Sequence, residues 1–219
     1  MTPHALPRPW TFAVAAAALG LGLTITGCQV VLPPSPGSSA DPTPSSGSTM
    51  TSSEYSTLDA AGVQEIENSR QARLDMRSGE LLKSAVRVTD SSYGPQIKAS
   101  GKIALTIEGP TGEIHGQTDR IRFMTVSALP DFSEVTYFLT ADSREAYFGL
   151  IRDGVMKYGI ESRAAEGWIS SISRQPEDKS GFSLGPGTAT GLSVSYDLRY
   201  DGSKDTQVII VHVSPVRAG

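Results

Sequence analysis

A long low-complexity stretch limits how much of this chain can fold. In residues 33–53, 18 of 21 positions are Pro, Ser, Thr or Gly, and the exceptions are Ala40, Asp41 and Met50. Such a composition cannot bury enough apolar surface to offset its chain entropy, so we predict a disordered tether. We therefore assign residues 28–53 to the tether and residues 54–219 to a single folded domain.

The residues before the tether have the pattern of a secretory signal peptide. Arg8 is the one formally charged side chain among the first ten residues, and residues 11–26 carry no charge. An apolar run of this length is short for a membrane span, which needs roughly 20 residues, but is typical of a signal-peptide core. The run leads to Gly27 and then Cys28, the only cysteine of the chain. Residues 1–27 are therefore predicted to be the signal peptide.

The segment Ile25-Thr26-Gly27-Cys28 resembles the bacterial lipobox, in which small residues precede an invariant cysteine. The resemblance implies cleavage between Gly27 and Cys28 and acylation of Cys28, with palmitate among the chains. Two or three acyl chains anchor stably, since each buried methylene contributes roughly 0.8 kcal/mol. We therefore expect a lipoprotein anchored to the cell membrane and facing the extracytoplasmic side. The alternative is an uncleaved signal or a plain transmembrane anchor, with Cys28 incidental.

The composition narrows the classes of function. The formal net charge is −4 and the pI is about 5.4, which argues against a nucleic-acid partner. One cysteine rules out a disulfide within the chain and a multi-cysteine zinc site. His115 and His212 are the only histidines beyond the predicted signal peptide. We therefore predict no metal site and no cofactor.

Two hydrophobic patterns predict an α+β fold. Residues 54–82 are rich in helix-forming residues and lack proline, which predicts one long helix or two shorter ones, capped by Thr57 or Asp59. Later segments alternate apolar and polar side chains, which is typical of half-buried strands. We expect a largely antiparallel, curved sheet of seven to nine strands, with the N-terminal helix or helices packed on it. The alternating positions lie at Val86 and Val88, 103–107, 121–124, 135–139 and 192–200.

Two later segments deserve separate predictions. The strand over 192–200 ends at Asp201-Gly202 and is followed by the apolar run 208–213, so the pair is predicted to form a hairpin with the second strand more central. Residues 142–161 fit either of two structures. A capping box at their start favours a helix, whereas Asp153-Gly154 between apolar pairs is typical of a hairpin turn. We favour the hairpin, because three glycines would weaken the helix.

The sequence contains one pattern that is typical of hydrolases. Residues 181–185 read G-x-S-x-G, but the motif requires a strand before it and a helix after it. The flanking residues 176–180 and Pro186-Gly187 suit neither element, so we interpret the segment as a loop. A serine hydrolase, with Ser183 near His115 or His212 and a carboxylate, is only a remote alternative. We predict no enzymatic activity.

Residues 147–158 and the following Gly167-Trp168-Ile169 are similar to a pattern in LolA-like envelope lipoproteins. In that family an aspartyl-glycyl hairpin leads to a tyrosine and then to a Gly-Trp pair. The resemblance implies a half-barrel whose sheet and helices enclose an apolar cavity for acyl chains, with Tyr158 and Trp168 as pocket residues. Judged from its neighbours alone, Trp168 is expected in the core at the start of a strand.

His212 is the remaining candidate for a ligand pocket. By alternation it shares a strand face with Val208 and Ile210, which predicts a satisfied, partly buried imidazole unless that face opens on a cavity. The leading hypothesis is an anchored binding or interaction module of unknown ligand, with a carrier of lipid or another apolar ligand as the alternative. The expected partners are the membrane, through acylated Cys28, and a lipid, cell-wall or protein ligand.

Overall fold

Segments with alternating hydrophobicity form most of the strands of this fold. The structure is a computed structural model that describes residues 55–89, 94–126 and 129–217. The elements in chain order are α1 (Ala60–Ser69), β1 (Gln71–Asp75), β2 (Leu81–Leu82), β3 (Gln96–Glu108), β4 (Glu113–Thr125), β5 (Asp131–Thr140), α2 (Arg144–Tyr158), α3 (Ser162–Arg174), β6 (Lys179–Gly187), β7 (Leu192–Asp201), a short 3-10 helix (Gly202–Lys204) and β8 (Thr206–Pro215).

The strands form one eight-stranded sheet that is largely antiparallel. Seven strands follow the order β1-β3-β4-β5-β8-β7-β6, and β2 pairs with β5. The β1–β3 pair is parallel, and the other pairs are antiparallel. The predicted α+β class is confirmed, and so is the terminal hairpin. Its second strand, β8, lies between β5 and β7 and is the more central of the two.

The N-terminal helix is much shorter than predicted. Asp59 caps α1 by accepting a hydrogen bond from the Gly62 N–H at 2.9 Å, and Arg70 ends the helix in a left-handed conformation. The prediction that helix continues over residues 70–82 was wrong. Residues 71–75 form β1 instead, because alternate side chains of that segment are buried against the parallel partner β3. Val86 and Val88, predicted to lie in a strand, belong to no strand, since Val86 lies within a turn and Val88 follows that turn.

The hairpin favoured for residues 142–161 was also wrong, because this segment forms α2. The Ser143 side chain caps the helix by accepting a hydrogen bond from the Ala146 N–H, and Gly159 ends it with a φ of 77°. Asp153-Gly154 therefore lies inside the helix and not in a turn. The buried residues recur at helical spacing, one or two per turn, at Tyr147, Phe148, Ile151, Gly154 and Tyr158.

Two other segments differ from their predictions. Trp168 lies inside α3 and not at the start of a strand, and its helix buries one side between α2 and β6. Residues 181–185 form part of strand β6 and not a loop. β6 is the edge strand next to β7, and most of its side chains stay exposed. One-sided pairing with β7 explains how such a glycine-rich, polar segment can be a strand.

Candidate functional site

One pocket lies where β4 continues beyond its last residue pair with β5, Ile121 with Tyr137. Residue pairs between β4 and β5 run from Ile121 to Thr125, whereas residues 113–118 of β4 pair with β3. β5 ends at Thr140, and α2 begins soon afterwards and lies beneath this part of the sheet. The opening between the edge of β4 and α2 is a slit of about 330 Å³.

The slit has apolar walls and a polar rim. Leu105, Leu139 and Leu150 contribute the apolar walls, and Tyr158 and Tyr196 add aromatic rings. The remaining residues at its surface are Ala104, Thr106, His115, Gly116, Gln117, Thr140, Asp153 and Lys157. A concave site that combines apolar walls with a few polar groups is the usual form of a small-molecule pocket.

The Tyr158 hydroxyl satisfies main-chain groups of the free β4 edge. The N–H of His115 donates to this hydroxyl at 3.4 Å, and the hydroxyl lies 3.3 Å from the His115 carbonyl oxygen, which accepts from it. Residues of an antiparallel strand turn their N–H and C=O alternately to one side and the other. Gln117, two residues along, therefore turns its main-chain donor and acceptor toward the same side, which is the slit.

Three tyrosines lie together at the inner end of the slit. The rings of Tyr158 and Tyr196 meet edge-on at 6.4 Å, and the Tyr137 ring packs against Gly116. Burial raises the pKa of all three phenols above the ordinary value of 10. The Tyr137 hydroxyl is buried and has no hydrogen-bond partner in the part of the chain that the structure describes. The tyrosines are therefore neutral and can donate or accept hydrogen bonds.

One lysine lies at the rim of the slit and a second contacts a residue of that rim, and both charges are partly engaged. The Lys157 ammonium lies 2.7 Å from the Asp153 carboxylate, and this ion pair raises the pKa of Lys157. The Lys102 ammonium donates to the Thr140 hydroxyl at 2.6 Å. Such exposed groups orient a ligand more than they hold it, because water screens them.

The three residues predicted to line a pocket, Tyr158, Trp168 and His212, lie in three different places. Tyr158 lies in the slit, whereas Trp168 packs in the core, where its ring meets those of Tyr147 at 5.9 Å and Tyr200 at 6.4 Å. The indole N–H of Trp168 donates to the Ser180 hydroxyl at 3.2 Å. His212 lies elsewhere, on the other face of the sheet. Gly27 and Cys28 lie outside the described residues.

His212 is held by a carboxylate and is partly buried, as expected for a satisfied imidazole. Its Nδ1 lies 2.8 Å from Oε1 of Glu134, which also accepts a hydrogen bond from the Thr136 hydroxyl. The hydrogen bond to Glu134 raises the pKa of His212 above its ordinary value of 6.5, and burial opposes this effect. The same contact lowers the pKa of Glu134.

The residues considered for a hydrolase do not form a hydrogen-bonded triad. The Ser183 hydroxyl donates to Asp197 at 3.4 Å, and Ser183 lies on the edge strand β6. His115 contacts Glu113 at 3.1 Å and Thr106 at 3.3 Å. No hydrogen bond of the described residues links Ser183 to His115 or to His212. The described residues also contain no group of three or more His, Cys, Asp or Glu side chains suited to hold a metal ion.

Sequence reasoning missed most of the slit. Leu150 and Asp153 were placed in a hairpin, and Gln117 and Tyr196 were not singled out at all. The alternation of β7 did predict that Tyr196 faces inward. Nothing in the local sequence signals that the pairing of β4 with β5 stops at Ile121 and Tyr137 although both strands continue, and the slit opens there.

No family model matches this chain. Neither a curated protein nor a solved structure matches it either. Among residues 55–89, 94–126 and 129–217, no helix is both long enough and apolar enough to span a bilayer. What the slit does must therefore be argued from its own geometry.

Proposed function

We propose that this chain is a lipid-anchored, extracytoplasmic binding module whose ligand occupies the slit between β4 and α2. The observation that carries the proposal is the free edge of β4 above leucine and tyrosine side chains. A volume of about 330 Å³ lies at the lower end of the range for small-molecule pockets. The lipobox resemblance supports the anchor at Cys28.

The lining favours a small ligand with an apolar body and one peptide-like or hydroxyl group. The apolar body would lie among Leu105, Leu139 and Leu150, and burying it would contribute roughly 25 cal/mol per Å². The polar group would exchange hydrogen bonds with the Gln117 main chain and the Tyr158 hydroxyl. We propose binding, and no reaction, for this site.

A carrier of long acyl chains is supported less well. It requires an enclosed cavity lined by aliphatic and phenylalanine side chains, whereas the slit is open and partly lined by polar groups. The interface of α2 and α3 with the sheet is filled by the rings of Tyr147, Trp168 and Tyr200. A curved, half-barrel form of the sheet stays part of the carrier alternative, which the binding experiment below can support.

The ligand experiment is native mass spectrometry of the chain from Gln29 onward, purified from a bacterial host. We expect a co-purifying or added small molecule to bind the unmodified chain at one to one. Ala104→Phe places a ring in the slit and should abolish this complex, whereas Ala60→Phe, on the exposed start of α1, should leave it intact. A bound phospholipid would favour the carrier. An unliganded mass under all conditions contradicts the slit as a ligand site.

The anchor is tested separately, by mass spectrometry of the N-terminal peptide from membranes of an expressing bacterium. We expect an acylated Cys28 followed by Gln29. Cys28→Ser should accumulate as uncleaved precursor, since the thiol is the group that receives the lipid. An unmodified Cys28 in the mature chain would contradict the anchor without bearing on the slit.

A further inference from the structure

One end of the sheet carries a concentration of exposed apolar side chains. The described residues include six large hydrophobic side chains that are exposed, and four of them lie at this end. We call this group the apolar tip; its members are Leu82, Met124, Val126 and Val216, with 37%, 51%, 50% and 55% exposure. Exposed patches of this kind mark surfaces that bind a protein or a membrane.

Strand pairing brings the members of the apolar tip to the same end. Leu82 pairs with Asp131, the first residue of β5, and Thr125 at the end of β4 pairs with Phe132. Val216 precedes Arg217, whose guanidinium lies 3.0 Å from the buried Asp131 carboxylate. The β4 end, β2 and the residue after β8 therefore converge around the start of β5.

A row of cations extends from the apolar tip along β3 and β4. We call it the basic row; its members are Arg122, Arg120, Lys98 and Lys102. The guanidinium groups of Arg120 and Arg122 each lie 5.3 Å from the ring centre of Phe138, which holds them side by side. No ion pair within the described residues neutralises the basic row, and the Arg120 Nε is buried without a hydrogen-bond partner.

Carboxylates lie nearby, but none of them forms an ion pair with the basic row among the described residues. Glu134 contacts His212 instead, and Glu67 accepts the main-chain N–H of Lys98 at 3.5 Å. Asp119 lies between the paired segments of β4, adjacent in sequence to Arg120. A chain with a formal net charge of −4 thus keeps four cations together beside exposed apolar side chains.

We propose that the apolar tip and the basic row dock on the anionic headgroup surface of the membrane that holds the lipid anchor. Apolar side chains that enter the headgroup boundary, flanked by Lys and Arg, are how proteins lie on membranes. This proposal rests on the acylation of Cys28. The anchor would keep the domain at roughly millimolar effective concentration near the bilayer, which makes the membrane a more available occupant than a soluble protein.

The predicted tether is long enough for any face of the domain to reach the bilayer. Residues 29–54 separate Cys28 from Tyr55, and an extended chain of that length spans about 80 Å. A domain of this size has a radius of gyration of roughly 15 Å. Anchoring alone therefore leaves the orientation free, and docking through the apolar tip would select one orientation and set where the slit faces.

The test uses the full acylated chain in vesicles, with an environment-sensitive fluorophore on a single introduced cysteine. Cys28 is the only native cysteine and its thiol is blocked by acylation, so Met124→Cys and Met156→Cys can each be labelled alone. Met156 is the matched control, because it is an exposed methionine on α2. Vesicles contain either phosphatidylglycerol with phosphatidylcholine or phosphatidylcholine alone.

We expect a blue-shifted emission at position 124 on the anionic vesicles only, and no shift at position 156. Raising NaCl to about 1 M, where the screening length falls to roughly 3 Å, should reverse the shift. The pair Arg120→Gln and Arg122→Gln should remove most of it, whereas the same change at Arg163 and Arg174 on α3 should not.

Flotation of the same samples separates the two proposals. A chain that leaves the vesicles at high salt contradicts the anchor itself. A chain that floats but shows equal emission at positions 124 and 156, or equal emission on both lipid compositions, overturns the docking proposal. In that case the apolar tip is left for a protein partner.

Discussion

The two faces of the sheet are built from alternate residues of the same strands, yet they hold very different side chains. On the helix-covered face the rings of Tyr147, Trp168 and Tyr200 interlock beneath α2 and α3. On the other face a polar row crosses the sheet through Thr136, His212 and Ser195. The covered face supplies the packing energy of the fold. The uncovered face keeps groups that can ionise or meet a partner.

The slit belongs to neither face alone. It opens where β4 and β5 stop pairing, so that one set of its residues comes from the covered face and another from the uncovered one. Tyr158 and Tyr196 reach it from the covered side, in the same way that Tyr147 and Tyr200 fill the closed core. The point where β4 and β5 stop pairing therefore decides which tyrosines are structural and which can contact a ligand.

Truncation in the closed core should have the largest effect on stability. Trp168→Ala should lower the free energy of unfolding by about 3–5 kcal/mol, because it leaves a cavity between Tyr147 and Tyr200. Denaturant unfolding of the chain from Gln29 measures this change. Met156→Ala on the exposed side of α2 is the control and should change stability by no more than about 0.5 kcal/mol. A loss below roughly 1.5 kcal/mol at Trp168 would place that ring outside the core.

Two glycines of α2 should respond to the same substitution with opposite signs. A Cβ on Gly154 would lie 2.5 Å from the Tyr196 ring, so Gly154→Ala should destabilise by about 1–3 kcal/mol. A Cβ on Gly149 meets nothing within 4 Å, so Gly149→Ala should stabilise by about 0.5–1 kcal/mol. Thermal and denaturant unfolding report both. Equal effects at the two positions would show that α2 does not press on Tyr196.

Gly154 also shows which part of this fold could not be predicted from the sequence. Strands 103–107, 121–124, 135–139 and 192–200 could be predicted, because alternation is a local pattern that the sheet preserves. The α2 helix was read as a hairpin because Asp153-Gly154 is a turn signal when only neighbouring residues are considered. Its glycine is needed instead for close approach to Tyr196, a residue far along the chain.

The site could be predicted even less well than the fold. Tyr158 was singled out through a family resemblance, but its hydroxyl contacts the main chain of His115, which no local pattern indicates. For Trp168 the prediction was partly correct. Its place in the core was expected, but its place in a helix was not. His212 was interpreted as a satisfied imidazole, but its partner Glu134 lies on the neighbouring strand β5, 78 residues earlier in the chain, and could not be named from spacing.

Removing single tyrosine hydroxyls should lower the free energy of unfolding more in the closed core than in the slit. Both changes should be smaller than that of Trp168→Ala. The Tyr147 hydroxyl lies 3.2 Å and 3.1 Å from the carbonyl oxygens of Arg199 and Val208, both inside the packed layer. Tyr147→Phe should cost about 1–2 kcal/mol, since it leaves a buried acceptor unsatisfied. Tyr158→Phe should cost less than about 1 kcal/mol, because water in the slit can replace its hydroxyl at His115. A larger cost at Tyr158 than at Tyr147 would mean that the slit is closed to water.

The smallest effect is expected on the uncovered face, at the pair of His212 and Glu134. The hydrogen bond between them raises the pKa of His212 and lowers that of Glu134. A raised histidine pKa stabilises the fold at pH values below 6.5 and this contribution is lost as pH rises through the folded value. A lowered glutamate pKa stabilises above 4.5 and is lost as pH falls. Stability from this pair is therefore greatest in mildly acidic solution.

Glu134→Gln isolates that contribution without emptying the site. The amide keeps the shape of the side chain but loses its charge. Burial, which disfavours the imidazolium, then remains, together with the opposing charges of Asp197 and Arg199. We expect the pKa of His212 to fall in this variant, as followed by NMR of the imidazole protons. The signal of His115, which contacts Glu113 instead, is the internal control. An unchanged titration of His212 would mean that water screens the pair, and the uncovered face would then be solvated even at its centre.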